Sequence, residues 1–320
     1  MIEKTIDAAA LGELLVDFTE AGISANGMRL FEQNAGGAPA NMLTVLSHFG
    51  FKTEFIGKIG KDMHGAFLRE TLKKEGIGVR NLIEDENYFT TLAFVALNNG
   101  EREFAFARKP GADTQLRSDE VSKEILAACR IFHFGSLSLT DSPAREATVQ
   151  AVKTAKQAGA VISYDPNYRK PLWPSEAEAV KQMSAVIKYA DMMKVSEEEA
   201  FMLTGEPKLE NAAKKLLEAG PAVVAVTLGS SGVLAVSENG MQEIPAFKVK
   251  AVDTTGAGDS FWGGFLSAFL ELGKKPEELT AEDVKQCAVT GNAAAALCVT
   301  KRGGIPAVPT KEDIIDFMKK

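Results

Sequence analysis

The sequence lacks the features that mark several large classes of protein. It has only three cysteines, Cys129, Cys287 and Cys298, spaced too widely for a CxxC pair or a disulfide framework, so a reducing, cytoplasmic location is expected. No apolar run approaches the roughly 18 residues of a membrane helix, and the N-terminus lacks a signal-peptide pattern. A net charge of −7 disfavours nucleic acids and anionic membranes as partners, because both require concentrated lysine and arginine.

The composition is otherwise that of an ordinary globular protein. The 320 residues are 45% hydrophobic and 25% charged, which is sufficient for a large core. From about residue 120 onward, short apolar runs alternate with helical patterns. This alternation predicts an α/β fold with a mostly parallel central sheet and helices on both faces. No repeat or composition break divides the chain, so we expect a single domain over residues 1–320.

Two segments, 17–35 and 87–112, depart from this alternation. The first is longer than a usual connection between a strand and a helix. The second contains two β-rich runs around Asn98, Asn99 and Gly100, a strong hairpin signal. Together they could form a small β-sheet lid over the carboxyl edge of the main sheet. The pattern alone fits two ordinary surface hairpins equally well.

The stretch "DTTGAGDSFWGG", residues 253–264, places an acid in a glycine turn that opens a helix. Alternating Phe247, Val249 and Ala251 predict a strand before the turn. The turn is not a dinucleotide fingerprint, because position 261 is Phe261 rather than glycine, and no P-loop motif occurs in the chain. Two interpretations of Asp259 have equal weight here. It is either a helix cap or a base beside backbone N–H groups that hold a phosphoryl group.

Three motifs resemble those of the PfkB (ribokinase-like) family of carbohydrate kinases. "DTTGAGDSF" matches the second family signature, "AGGAPANMLTVLSHFG" resembles the first, and "GKIGKDMHG" fits the pattern G-x-x-G-x-D-x-x-G. Their order and spacing extend the resemblance from about Gly12 to Pro309. The resemblance implies a ribokinase-like fold with a β lid and an ATP-dependent sugar kinase, most similar to fructokinase-like members.

The resemblance also assigns roles to individual residues. Asp259 is implied as the catalytic base, and the backbone of Gly256, Ala257 and Gly258 as the anion hole. The positions implied to bind sugar through the first signature and the preceding strand are Asp17, Gly36, Gly37 and Asn41. Those implied to bind nucleotide are Thr227, Gly229, Gly232 and Asn292, together with Lys194, Ser196 and Glu199. The sequence departs from the family at Ser196, where the family has asparagine, whereas Glu199 keeps the acid that organises Mg²⁺ through water.

Further cofactors and partners follow from the same resemblance. ATP and Mg²⁺ are expected, and many members bind a monovalent cation such as K⁺. The residues implied to contribute oxygens to that cation are Asp253, Thr255 and the backbone near Gly303. Homodimers formed through the lid occur in the family, although no patch in this sequence identifies one.

The prediction of which sugar is bound depends on two shorter stretches of sequence. "DPNYRKPLW" resembles a run of fructokinase-like members and implies that Asp165, Asn167 and Arg169 face the phosphates and sugar. "FAFARKPGAD" places Arg108 over the sugar, with Ala107 where the family has a bulky aromatic. Fructose is therefore the expected substrate. An arginine would also suit 2-keto-3-deoxygluconate, so kinases of that sugar and other family members stay open, as does a non-catalytic sugar-binding protein on a kinase scaffold.

Overall fold

The computed structural model describes residues 3–98 and 101–319. It describes their side chains as well, except those of residues 96–104. Asn99 and Gly100 of the expected hairpin turn lie outside the described residues. The described strands are β1 (Ile6–Leu11), β2 (Leu15–Ile23), β3 (Arg29–Gly36), β4 (Thr53–Gly60), β5 (Gly78–Asp85), β6 (Leu92–Asn98), β7 (Glu101–Ala107), β8 (Cys129–Gly135), β9 (Val161–Asp165), β10 (Met192–Ser196), β11 (Val223–Thr227), β12 (Gly232–Ser237) and β13 (Gly240–Pro245).

Helices cover most of the connections between these strands. They are α1 (Ala38–His48), α2 (Met63–Lys74), α3 (Lys123–Ala128), α4 (Ala144–Gln157), α5 (Glu176–Ile187), α6 (Glu197–Thr204), α7 (Leu209–Glu218), α8 (Ala257–Leu272), α9 (Ala281–Cys298) and α10 (Lys311–Met318). In the ranges described, no helix combines the length and the apolar character required to cross a membrane.

The larger sheet has nine strands in the order β13-β12-β11-β10-β9-β8-β1-β4-β5. From β11 to β5 neighbouring strands run parallel, and β12 and β13 complete the other edge as antiparallel strands. The predicted α/β fold with a mostly parallel sheet is thus confirmed. Parallel strands end at the same edge, so the loops after β9, β10 and β11 meet there.

The alternation of side chains along each strand explains why helices cover both faces of this sheet. In β1, Ala8 and Ala10 belong to a buried cluster with α1, α2, α8 and α9, whereas Ala9 and Leu11 join the opposite cluster with α4, α5 and α7. A strand buried on both sides reads as a continuous apolar run. This is the pattern from which the parallel sheet was predicted.

A second, four-stranded sheet has the order β3-β2-β6-β7. The pairs β2–β3 and β6–β7 are antiparallel, and β2 and β6 join them in parallel. These strands come from the two segments that depart from the βα alternation. The separate small sheet is therefore confirmed, and the connection between the first strand and the first helix is long because it contains two strands.

The prediction of a strand at residues 247–251 is wrong. Residues 246–252 form no strand, and the N–H groups of Val252 and Asp253 both donate to the carbonyl of Val299, after α9. Phe247 packs on Phe317 of α10, with ring centroids 5.1 Å apart. Phe247 is therefore covered by the C-terminal helices rather than by a neighbouring strand, and Ala251 is exposed.

Candidate active site

A cavity of about 660 Å³ opens at the carboxyl edge of the larger sheet. Most residues that the sequence implicates contribute to its wall. Those are Asp17, Gly37, Asn41, Asn167, Arg169, Lys194, Ser196, Glu199, Thr227, Thr255, Gly256, Ala257, Gly258 and Asp259. The lining also includes residues that sequence reasoning missed, namely Glu13, Leu15, Ala38, Phe106, Leu137, Tyr168, Glu176, Glu198, Met202 and Thr254.

Asp259 lies in the first turn of α8 but does not cap it. The N-cap position is Gly256, whose φ of 74° places it in the left-handed region that favours glycine. The Asp259 side chain accepts hydrogen bonds from Asn41 Nδ2 at 2.8 Å and from Asn167 Nδ2 at 2.9 Å. Only 7% of Asp259 is exposed. The helix-cap interpretation is therefore wrong, and the carboxylate is held at the cavity floor by groups from two other segments.

The turn before Asp259 places backbone donors beside a positive charge. The first N–H groups of a helix have no partner within it and carry the positive end of its dipole. Ala257 N–H makes a 3.3 Å turn contact with the carbonyl of Thr254. A methyl group on Gly258 would lie 2.9 Å from Lys194 Nζ. Glycine at 258 thus lets the Lys194 ammonium approach this helix N-terminus closely.

Lys194 forms a buried ion pair with Asp165. Its Nζ is 2.8 Å from Asp165 Oδ2, and the two side chains are 7% and 3% exposed. Burial would lower the pKa of Lys194, but the carboxylates of Asp165, Glu199 and Asp259 together raise it. Lys194 therefore carries a positive charge beside the turn. Asp165 Oδ1 also accepts from the N–H of Asn167 at 3.1 Å, so the ion pair and the loop after β9 are linked.

Asp17 contributes to one wall of the cavity, and Gly36 lies beside it where β2 and β3 pair. A methyl group on Gly36 would overlap Asp17 Oδ2, so glycine is required for this close approach. Burial raises the pKa of Asp17 to about 6, with Asp259 and Asp253 adding to the rise and Arg169 opposing it. A carboxylate so placed can accept hydrogen bonds from two neighbouring hydroxyls, as a polyol substrate would provide.

Glu13 connects the end of β1 to the start of α1. Its Oε1 accepts from the N–H of Ala38 at 3.0 Å, and the residue is 3% exposed. Burial raises the pKa of Glu13 to about 7, with its own and the Ala38 backbone N–H groups and Arg108 opposing the rise and Asp113 adding to it. An acid within the apolar run Leu11–Val16 was the available signal for this residue. Its role is to cap α1, whose N-cap Gly37 provides no side chain.

The raised pKa of Glu13 predicts a pH-dependent stability. Because the folded protein holds the protonated acid better, stability due to Glu13 is greatest below pH 4.5 and falls as the pH rises through about 7. We expect Glu13→Gln to remove this loss, since Gln can still accept from Ala38. The free energy of unfolding of the variant relative to wild type should rise by on the order of 3 kcal/mol between pH 4.5 and 8. Urea unfolding across this range measures it.

Glu238→Gln, at an exposed position, controls for the substitution itself. If the Glu13→Gln difference does not change between pH 4.5 and 8, the pKa of Glu13 is the same in the folded and unfolded protein, and burial does not raise it.

Glu199 is tied to the backbone through both carboxylate oxygens. Oε2 accepts from Ser196 N–H at 2.8 Å, Ser196 Oγ accepts from Glu199 N–H at 3.2 Å, and Oε1 accepts from Tyr168 N–H at 2.6 Å. This is a capping box at the start of α6. Ser196 is thus the N-cap residue of α6, at the position where the family has asparagine. The capping role and a contact to a water-held ion are compatible, because each carboxylate oxygen has two lone pairs.

Four residues implied for nucleotide binding lie in two places. Thr227 ends β11 and lines the cavity. Gly229 and Gly232 flank a short 3₁₀ turn beyond it, where φ values of 57° and 114° favour glycine. Asn292 lies away from the cavity lining, and its Nδ2 donates to the carbonyls of Ile244 and Pro245 at 3.2 and 3.0 Å. Its observed contacts hold the end of β13 against α9.

The two implicated arginines have different surroundings. Arg108 is 5% exposed and binds Asp113 Oδ2, Thr140 Oγ1 and the carbonyl of Leu137. It lines a neighbouring cavity rather than the one containing Asp259. Arg169 is exposed, lines the Asp259 cavity and acts electrostatically on Asp17. The charge of Arg108 is therefore neutralised by Asp113, and Arg169 is the arginine that faces the substrate space.

The segments implied for a monovalent cation come together. Asp253 Oδ1 accepts from Thr255 N–H at 2.8 Å, and Oδ2 accepts from Gly303 N–H at 3.1 Å. The thiol of Cys298 lies 3.6 Å from the Thr255 carbonyl. Across residues 3–98 and 101–319, no group of three or more His, Cys, Asp or Glu side chains is arranged to hold a metal ion. A cation here would depend largely on backbone oxygens.

Comparison with known families identifies the same group as the motifs. The model of the "pfkB family carbohydrate kinase" matches residues 6–311. A probable fructokinase-5 of Arabidopsis thaliana is 41% identical over 315 residues, which is 97% of this chain and 96% of that protein. The resemblance stated from the motifs is thereby confirmed over nearly the whole chain.

Solved structures with the same architecture include two fructokinases. The fructokinase of Xylella fastidiosa with bound ATP has a TM-score of 0.89 and 30% identity, covering 99% of this chain and 98% of that one. A double mutant of the Vibrio cholerae O395 fructokinase, in a form with bound fructose, ADP and potassium ion, has a TM-score of 0.87 and 29% identity, with 99% of both chains covered.

Proposed function

Because this chain belongs to the pfkB family of carbohydrate kinases, we propose that it is a fructokinase that uses Asp259 as its catalytic base. The enzyme transfers the γ-phosphoryl group of ATP to a hydroxyl group of fructose. The observation that carries this proposal is the position of Asp259. Its buried carboxylate lines the cavity, directly beside the N-terminal N–H groups of α8.

The transfer needs a group that takes the hydroxyl proton and groups that stabilise the phosphoryl charge. As the sugar oxygen bonds to the γ-phosphorus and the bond to the β-phosphate oxygen breaks, the proton passes to the Asp259 carboxylate. Backbone N–H groups of the 256–259 turn face the phosphoryl oxygens, and Lys194 adds positive charge next to Gly258. An acid beside a phosphate would repel it, and the buried Lys194 ammonium next to Gly258 reduces this repulsion.

The small sheet acts as a lid in this proposal. Asp17 on β2 and Phe106 on β7 both line the cavity, so the sheet forms a wall of the substrate space. Closure over the sugar would exclude water and protect ATP from hydrolysis. Dimer formation through this sheet and the cytoplasmic location stay predictions.

Charge in the sugar half of the cavity favours a neutral sugar over an acidic one. Glu13 and Asp17 provide two carboxyl groups there, while Arg108 is already paired with Asp113. The remaining arginine, Arg169, is exposed. Among the side chains that the structure describes, a substrate carboxylate would meet carboxyl groups and no buried, uncommitted arginine. Fructose therefore fits better than 2-keto-3-deoxygluconate.

The opposite half of the cavity, near Thr227, Ser196 and Glu199, is proposed to receive ATP. Mg²⁺ retains several waters and binds mainly to phosphates, with one or two carboxylates nearby. Glu199, whose two oxygens are already anchored by backbone N–H groups, fits such an indirect role. Bound there, Mg²⁺ would neutralise phosphate charge. K⁺ fits the loop that Asp253 joins to Gly303, where it would add positive charge beside the anion hole.

A coupled ADP-release assay tests this function. With Mg²⁺ and K⁺ present, we expect kcat/KM for fructose to exceed that for 2-keto-3-deoxygluconate, ribose or nucleosides by at least about 100-fold, because a buried unpaired charge or hydroxyl is costly. Mass spectrometry of the product locates the phosphate.

The same assay separates the alternatives. Preference for 2-keto-3-deoxygluconate would show that Arg169 outweighs the carboxyl groups of Glu13 and Asp17. Sugar binding without turnover of any sugar would indicate a non-catalytic protein on a kinase scaffold.

A further inference from the structure

We propose that Asn41 and Asn167 are positioning residues that clamp Asp259, each amide holding one of its carboxylate oxygens. The proposal rests on the function of Asp259 as the base and goes beyond it. It differs from the sequence-based prediction for these residues, which was direct contact with the substrate. The two amides come from α1 and from the loop after β9, and they reach Asp259 across 218 and 92 residues of sequence.

The backbone conformation of Asn167 is unusual, and it directs the side chain toward Asp259. Its φ is 47°, and no other non-glycine residue in the described ranges has a positive φ. Such a conformation is tolerated best by asparagine and persists where the surroundings enforce it. Here Asp165 Oδ1 accepts from Asn167 N–H, and Glu199 Oε1 accepts from the next N–H, that of Tyr168. Two acids thus fix the backbone that directs the Asn167 amide toward Asp259.

Asn41 is held as firmly from the other side. It lies in the first turn of α1, which Glu13 caps, and it is 4% exposed. The orientation of its amide follows from chemistry, since the reverse orientation would oppose two acceptor oxygens at 2.8 Å. In this orientation Asn41 Oδ1 is buried without a hydrogen-bond partner. The Asn41 side chain therefore donates from Nδ2 to Asp259, although its Oδ1 accepts no hydrogen bond.

Two fixed donors determine what the carboxylate can do. Each oxygen of Asp259 has one lone pair engaged by an amide hydrogen, which leaves the second lone pairs for a substrate hydroxyl. The clamp also prevents rotation about the Cβ–Cγ bond. Removing it should slow the chemical step without weakening sugar binding.

Asn167→Gly is the sharpest variant, because glycine adopts the positive φ without strain and only the amide is lost. We expect kcat to fall about 10- to 100-fold, with KM for fructose and for ATP within about 3-fold of wild type. Asn41→Ala should behave alike, since alanine suits a helix. Asn167→Ala adds backbone strain and should also lower Tm, which separates strain from loss of the donor.

Asn87→Gly is the matched control. Asn87 follows Asp85 as Asn167 follows Asp165, with the same contact from backbone N–H to Oδ1 at 2.8 Å, but it is exposed in the loop before β6. Its kcat and KM should equal those of wild type. In an Asp259→Asn background, adding Asn167→Gly should change the residual rate less than 3-fold, because the amide acts only through the base.

The outcomes distinguish this inference from the proposed function. A wild-type enzyme that phosphorylates no sugar contradicts the function itself. An active wild type whose Asn167→Gly variant keeps kcat but loses fructose affinity overturns the clamp and restores direct substrate binding. Equal losses from Asn167→Gly in the wild-type and Asp259→Asn backgrounds would also overturn it, since the amide would then act independently of Asp259.

Discussion

Replacing Asp259 by Asn is expected to lower kcat by about two to four orders of magnitude while changing the dissociation constant of fructose less than about 10-fold. The amide keeps the size of the side chain but cannot accept the hydroxyl proton. Backbone N–H groups of α8, Lys194 and the bound nucleotide stay in place, so substrate positioning should sustain the residual rate. Single-turnover kinetics measure the chemical step, and calorimetry measures fructose binding.

The substitution Asp259→Asn also changes the hydrogen bonds with Asn41 and Asn167, in addition to removing a charge. Both partners of Asp259 present amide donors, whereas an asparagine at 259 has one donor and one acceptor. Both contacts are then kept only if the Asn41 amide turns over and presents its unpartnered Oδ1 as the acceptor, and a modest drop in Tm is expected. Asp316→Asn, on the exposed face of α10, controls for the substitution itself. A kcat within 10-fold of wild type would show that another group takes the proton.

The sheet could be predicted because its causes are local in sequence. Continuous apolar strands such as Val223–Thr227 and amphipathic helices such as Ala144–Gln157 each carry their own pattern. Where this alternation stopped, the pattern fitted a small sheet and two separate hairpins equally well, and the pairing of β2 with β6 shows that the hairpins form one sheet. The failure at 247–251 has the opposite cause, because an alternating pattern states only that some side chains are buried. In this segment Phe247 packs on Phe317 of α10, far along the chain, and Ala251 is exposed.

The site could be predicted in outline but not in its contacts. Motif spacing identified Asp259, Asp17 and Asn41, yet only the fold shows that Asn41 binds Asp259 rather than standing alone at a helix start. Arg108 illustrates the limit of such inference. Its partner Asp113 lies five residues away. The sequence does not reveal whether an arginine forms its ion pair with a neighbouring side chain or with a ligand.

Lys194→Met is expected to cost about 3–5 kcal/mol of stability, because it leaves the buried Asp165 carboxylate without its cation. Lys194 Nζ and Asp165 Oδ2 are 2.8 Å apart, and neither side chain reaches solvent to any useful extent. The exposed pair Lys181–Glu178 provides a contrast, so Lys181→Met should change stability by less than about 1 kcal/mol. Urea unfolding of the two variants under one set of conditions measures the difference.

A double variant separates the two roles of Lys194. Asp165→Asn combined with Lys194→Met removes both charges, and Oδ1 of the new amide can still accept from Asn167 N–H. We expect it to recover most of the lost stability, since a neutral buried pair avoids the cost of an isolated charge. Activity should stay about 100- to 1,000-fold below wild type, because the cation beside Gly258 is still missing when phosphoryl charge develops. Recovery of kcat together with stability would mean that Lys194 serves only to neutralise Asp165. Recovery of stability alone places its charge in the reaction.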